Sequence, residues 1–312
     1  MFQLEKYKHT RPFGYAENVG KTKIGFLIWF PDWSLEKVFR FGSSLGYDAV
    51  EVSAHPKTTL KLDMDLDKGK NHVLGLAEKY NLSISALTYH TNMLHPDMDD
   101  RKEIYGHFKK VILFAETLEV PVVGAHPGYE LPGMDEDACW AEYESTFGEI
   151  VDFAGEHNMK VAVEPLRHFR VNSLVYNAPT IERLLKTFPS RSLGLTYDPS
   201  HLVSRMIDYI DVLRKFSERI YHVHAKDAEI LYDVLRIFGA FDPEGVIWWR
   251  FRVPGWGEVD WQELITALYE LNYNLGFSVE IEDPIFQGEE GFAKAIEYLK
   301  PLWCLTYGAS DK

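Results

Sequence analysis

VAVE (161–164), LGLTYD (193–198), IYHVH (220–224) and FSVE (277–280) are four short apolar runs that each close on one polar side chain of metal-ligand type. Those side chains are Glu164, Asp198, His224 and Glu280. The runs are short and rich in β-branched residues, so each reads as a strand buried on both faces rather than as a helix. In a parallel β/α barrel the C-termini of all strands converge on one face, where such folds keep their functional groups. Three carboxylates and one imidazole would then meet around one divalent cation. Taken singly, a carboxylate at a strand end is equally well explained by capping the next helix or pairing with a base. Four such residues at the same end of consecutive strands favour the joint reading. His222 competes with His224, because residues two apart on a strand share a face. His224 sits nearer the strand end and is the preferred ligand.

Outward from these runs the same unit recurs. IGFLIWF (24–30), YDAVEV (47–52), LSISALTY (82–89) and PVVGAH (121–126) precede the four, and the last extends to LGFSVEIE (275–282), giving eight strand candidates. Helical spacing lies between them, as in RKEIYGHFKKVILFAETL (101–118) and CWAEYESTFGEIVDFAGEH (139–157). In the latter, Tyr143, Phe147, Ile150, Val151 and Ala154 make one apolar stripe. Strand–helix alternation without tight hairpins predicts an α/β fold, a (β/α)8 TIM barrel forming a single domain over 1–312, with 1–21 as an N-terminal extension. A doubly wound sheet would want a Gly-rich phosphate turn after the first strand, and IWFPDWS (28–34) is not one. Pro179 after Asn177, and Asp260 three residues before Glu263, mark helix starts.

One connection is long. The segment 225–259, after the seventh strand, far exceeds the usual loop and reads as a lid or rim insertion, with subunit packing as the competing role. Its first half, AEILYDVLRIFG (228–239), spaces Ile230, Leu231, Val234, Leu235 and Phe238 as an amphipathic helix. Its second half runs into the aromatic WWRFRVPGWGEVDW (248–261).

Composition narrows the classes. The chain has 312 residues, 46% of them hydrophobic, enough for a large core. A net charge of −14 repels phosphate backbones, so nucleic acid is not an expected partner. Cys139 and Cys304 have no motif spacing, which suits a reducing compartment. The first twenty residues lack the apolar core of a signal peptide, and no stretch is long enough to span a bilayer. A cytoplasmic protein with no membrane partner is expected.

With VEPLRHF (163–169), YDPSH (197–201), HVHAKD (222–227), RVPGWGEVDW (252–261) and VEIED (279–283), the chain resembles the xylose-isomerase-like sugar isomerase and epimerase superfamily. Its nearest functional likeness is to ketose 3-epimerases and to enzymes of 3-keto sugars or 3-keto glycosides. The resemblance implies one divalent metal on Glu164, Asp198, His224 and Glu280. Hard oxygen ligands with one nitrogen favour Mn2+, with Mg2+ or Co2+ as alternatives. It also implies that Glu164 and Glu280 flank the substrate as an acid/base pair, and that His201 and Arg252 hold substrate oxygens. His126 and His90 follow strands four and three, so position alone makes them substrate-contact candidates. Glu51, Asn92, Trp29 and Trp256 are weaker ones. Lys226 and Asp227 read as an ion pair, with each other or with a neighbour, that positions the His224 strand, with substrate contact as the competing role. Arg170 stands where ketose 3-epimerases carry a second glutamate, and Ile230 where they carry an arginine. A bulkier or anionic keto-sugar derivative is therefore expected, and Arg167, Arg170 and Arg252 are available to an anion. A homo-oligomer is expected, with room for a small partner subunit.

The implied chemistry is proton removal from a carbon next to a carbonyl, with a cation stabilising the enediolate. Return of the proton to the opposite face gives epimerisation, and return to the neighbouring carbon gives isomerisation. Expulsion of a substituent gives elimination, as in cleavage of 3-keto glycosides. The expected function is a metal-dependent isomerase or epimerase of a keto sugar, with such a lyase as the alternative. An abasic-site endonuclease would need a basic surface, and a non-enzymatic sugar-binding barrel would be free to lose a ligand.

Overall fold

The computed structural model describes residues 23–308 apart from 59, 61, 63–65, 168–170 and 241–244. The extension expected over 1–21, and Arg170, lie outside the described residues.

All eight predicted barrel strands form. They are β1 (Ile24–Phe26), β2 (Ala49–Ser53), β3 (Ser83–Tyr89), β4 (Val122–Ala125), β5 (Lys160–Val163), β6 (Leu193–Tyr197), β7 (Ile220–Ala225) and, after the insertion, β10 (Gly276–Val279). They make one sheet in the order β1-β10-β7-β6-β5-β4-β3-β2 with parallel ladders throughout. A parallel bridge between Leu27 and Glu51 brings β1 against β2 and nearly closes the barrel. The first strand is shorter than IGFLIWF suggested, because the chain turns at Pro31, where the Trp33 amide donates to the Phe30 carbonyl at 3.0 Å.

Helices fill the expected intervals: α1 (Leu35–Leu45), α2 (Leu66–Tyr80), α3 (Met98–Thr117), α4 (Glu136–Glu156), α5 (Ala178–Thr187), the short α6 (Pro199–Val203), α7 (Tyr209–Phe216), α9 (Trp261–Glu270) and α10 (Gly288–Tyr307). The stripe Tyr143, Phe147, Ile150, Val151 and Ala154 of α4 is buried as its spacing predicted. Asn177 caps α5 in a capping box with Thr180, and the Asp260 side chain accepts the Glu263 amide at 2.9 Å to start α9. The main core lies between barrel and helices. Among the described residues, no helix is long and apolar enough to cross a membrane.

Close packing beneath the site rests on Gly194 of β6. A Cβ there would lie 2.3 Å from the Tyr221 ring and 2.4 Å from the Arg219 carbonyl, and backbone cannot retreat as a side-chain tip can. Gly194→Ala is expected to cost about 1–3 kcal/mol of stability, read as a lower urea midpoint at unchanged slope.

The insertion differs from its sequence reading. The segment expected as one amphipathic helix over 228–239 divides. Asp227–Ile230 is β8, paired antiparallel with β9 (Trp249–Arg252), and only Tyr232–Phe238 is helical, as α8. Ala228 and Ile230 are buried with strand alternation, whereas α8 buries none of its residues. A three-residue apolar alternation fits strand and helix periods alike, and the cross-strand partners Trp249 and Phe251 decide between them.

Candidate active site

The strand ends deliver the four candidate ligands to one place. Glu164 extends β5, its amide donating to the Ala125 carbonyl at 2.9 Å. Asp198 ends β6 and caps α6; one carboxylate oxygen, Oδ1, accepts the Ser200 amide at 2.8 Å. His224 lies on β7, and Glu280 follows β10. All four are buried, and one ligand atom from each lies within 4.8 Å of every other. His224 Nδ1 is 3.0 Å from Glu164 Oε1 and 3.4 Å from Glu280 Oε2. His222, on the same face, sits deeper: its Nε2 is 2.7 Å from Glu51 Oε2 and 3.0 Å from Ser278 Oγ.

Three of the four proposed substrate contacts surround Glu164. His90 Nε2 and His126 Nε2 are each 3.7 Å from Glu164 Oε2, and His201 Nε2 is 3.6 Å from Glu164 Oε1. The His90 and His126 rings stack with centroids 4.4 Å apart, and Trp29 lies nearly parallel to His90 at 6.1 Å. Arg252 is placed elsewhere. Its guanidinium Nε donates to Asp283 Oδ2 at 2.9 Å and its NH1 to Glu229, so its fork ties β9 to β8 and to the loop after β10. Asn92 Oδ1 accepts the Leu94 and Tyr129 amides and orders the loop after β3. Arg167 pairs with Glu130 at 2.8 Å. Trp256 packs on Phe286 and Tyr298.

Lys226 and Asp227 do not pair with each other. Consecutive residues in extended chain point to opposite sides. Lys226 turns into the site, 2.8 Å from Glu280 Oε2, 2.9 Å from Glu282 Oε1 and 3.2 Å from Asp198 Oδ2, with its ammonium 4.7 Å over the Phe251 ring of the insertion. Asp227 turns away and accepts four donors: the amides of Ala228, Gly255 and Val259 at 2.8, 3.0 and 3.1 Å and the Trp261 indole at 2.9 Å. An ion pair of Lys226 with a neighbour was expected, but its partners Glu280 and Glu282 were not named. The signal was the period of two, since Lys226 follows His224, and Glu282 follows Glu280, by two residues.

The electrostatics are those of buried charges in mutual contact. Burial opposes ionisation of Glu164, but the His224 charge and hydrogen bonds from His201 and His224 outweigh it and hold the carboxyl well below the usual range. Burial also opposes ionisation of Glu280, and Lys226 and His224 reverse it, leaving that carboxyl low. Asp198 goes the other way, raised by burial that Lys226 and His201 only partly offset. His224 is raised because Glu51, Glu164 and Glu280 overcome its desolvation. Burial lowers His90, and burial with the neighbouring His90 lowers His126 further.

The donor set fits a hard divalent cation, being three carboxylates and one imidazole. The second oxygen of Asp198, Oδ2, is buried and makes no hydrogen bond, so it is free to ligate once it exchanges its ion-pair partner Lys226. Two further groups, His90 with His126 and Glu164, and Glu51 with His222 and His224, also bring ligand-type atoms together.

A model of the xylose isomerase-like TIM barrel family matches residues 39–302, and the chain belongs to that family. Among curated proteins it is similar to an inosose dehydratase of Clostridium tetani, 30% identical over 212 residues, covering 64% of this chain and 67% of that protein. It is also similar to a fructoselysine 3-epimerase of Shigella flexneri, 25% identical over 258 residues, covering 79% and 85%. Among solved structures, a D-tagatose 3-epimerase-like protein superposes with a TM-score of 0.69 at 23% identity, covering 91% of this chain and 98% of that one, which shows the shared fold.

Proposed function

We propose that the chain is an enzyme of keto sugars or keto polyols that removes a proton from the carbon beside the carbonyl, and that its first outcome is epimerisation or isomerisation. The observation that carries this reading is the meeting of Glu164 and Glu280, from the ends of β5 and β10, in one buried cluster with His224 and Asp198. In this reading Glu164, Asp198, His224 and Glu280 hold a divalent cation, Mn2+ by the hardness of the donors. When bound, that cation supplies positive charge against the negative charge that develops on the substrate oxygens.

The protein's own groups do the rest. Both carboxyls rest ionised; one of Glu164 and Glu280 takes the proton from carbon, and the other returns one to the opposite face after taking up a proton from a substrate hydroxyl or solvent. Lys226 holds Glu280 ionised and in place through a 2.8 Å contact. His90, His126 and His201 ring Glu164 and offer imidazole groups to substrate hydroxyls. The insertion places Phe251 over Lys226 and against His201, with centroids 5.2 Å apart, so the rim sets the position of both.

A second reading, elimination after the same proton removal, is favoured by the likeness to the inosose dehydratase. The two part at the product. Incubation in D2O with inosose, fructoselysine and free ketoses gives a deuterated epimer in the first case and loss of water in the second. Absence of both deuterium uptake and product across the set would end both readings.

Prior removal of divalent cations with a chelator is expected to abolish turnover, and added Mn2+ to restore it. Turnover unaffected by the chelator would count against a role for the cation.

A further inference from the structure

Glu51, on β2, reaches through the barrel interior to two histidines on a strand it does not pair with. We propose that it is a positioning residue that decides which ring nitrogen of His224 faces the carboxylate cluster. The inference rests on the reading that Glu164, Asp198, His224 and Glu280 hold a divalent cation.

The two nitrogens of His224 look in different directions. Nδ1 faces Glu164 Oε1 at 3.0 Å and Glu280 Oε2 at 3.4 Å. Nε2 faces Glu51 Oε2 at 3.3 Å. With a cation bound in place of its second proton the imidazole would carry one N–H, and a carboxylate can only accept. Glu164 and Glu280 alone would draw that proton to Nδ1, the nitrogen a cation needs bare. Glu51 competes from the other side. With the proton on Nε2, directed at Glu51, the Nδ1 lone pair is left for the cluster.

Glu51 is itself held. His222 Nε2 lies 2.7 Å from its Oε2, and Ser278 Oγ lies 3.0 Å from that same nitrogen. The register of β7 with β10 sets His222 beside Gly276 and His224 beside Ser278. Gly276 is required for this, since a Cβ there would fall 2.4 Å from the His222 ring. Glu51, His222, His224 and Ser278 are all at most 2% exposed, so solvent does not replace any of them readily. A carboxylate behind a metal-binding histidine fixes its tautomer and orientation, and its loss lowers metal affinity about 10- to 100-fold.

The test uses the full chain with Zn2+ alone as probe. In 15N-histidine-labelled protein loaded with Zn2+, the His224 signals, assigned through His224→Gln, are expected to show zinc on Nδ1 and a slowly exchanging proton on Nε2. Zinc on Nε2 overturns the proposal, and this arm needs no change at Glu51. Glu51→Gln, whose neutral amide is a weaker acceptor, is expected to weaken Zn2+ binding by about tenfold or more in competition with a chromophoric chelator. It should also move the Nε2–H resonance upfield and speed its exchange with water, which a merely structural role would not do. Affinity within twofold of wild type with an unmoved resonance overturns the proposal, as does a second zinc per chain bound by Glu51. Asp198→Asn separates this from the underlying reading. If Asp198→Asn binds Zn2+ as tightly as wild type, the four-residue site is what fails; if it loses zinc while Glu51→Gln does not, only the role of Glu51 fails.

Discussion

Glu280→Gln is expected to abolish exchange of solvent deuterium into a bound keto sugar, lowering the rate by about 10²- to 10⁴-fold, while the barrel stays folded. Glutamine keeps the shape of the side chain but cannot take a proton from carbon. The fold should tolerate the change because Lys226 retains Glu282 at 2.9 Å and Asp198 at 3.2 Å as partners. Glu280 is also a proposed ligand, so cation affinity must be measured on the same variant. Exchange that stays lost at saturating cation assigns the loss to proton transfer. Full exchange in this variant would remove Glu280 as acid or base.

The second large effect concerns stability and leaves the cluster untouched. Asp227 is fully buried and accepts four donors, three amides and the Trp261 indole. Its carboxyl is pushed up by burial, opposed by the hydrogen bonds from Trp261 and the backbone. Every partner is a donor, so the site demands an acceptor on both oxygens. Asp227→Asn turns one oxygen into a donor facing donors. We expect a loss of about 3 kcal/mol or more, since buried N–H groups are left unpaired. The turn at 253–259 should loosen with it. Gly257 packs directly on this carboxylate, where a Cβ would sit 2.2 Å from its Oδ1. Urea unfolding at equilibrium reads the effect, and a midpoint equal to wild type would show that the four bonds are not needed.

What was legible in the sequence was whatever the barrel writes locally. Buried parallel strands are continuous apolar runs, and the residue that ends each one belongs to the functional face. So Glu164, Asp198, His224 and Glu280 could be placed together from 161–280 alone, and the structure brings them within 4.8 Å. His90 and His126 followed from the same logic, whereas His201 came from the family resemblance. What was not legible depended on partners distant in the chain. Arg252 was expected to hold a substrate oxygen from the family resemblance, and the partners that take its guanidinium, Asp283 and Glu229, are not marked in the sequence around it. Lys226 and Asp227, read as paired with each other or with a neighbour, are turned apart by the backbone, and the neighbours Lys226 takes, Asp198, Glu280 and Glu282, lie far along the chain. Residues 228–230 carry too few apolar positions to separate a period of two from one of 3.6.

The central claim is that Glu164, Asp198, His224 and Glu280 act together through one divalent cation to enolise a keto sugar. Its most direct test is deuterium uptake from D2O into a panel of keto sugars, by chelator-treated protein with and without Mn2+, for wild type and Asp198→Asn. The account predicts uptake by wild type only with the cation, and little or none by Asp198→Asn at the same Mn2+ concentration. Uptake at full rate without the cation, or equal rates in the two proteins, would contradict it.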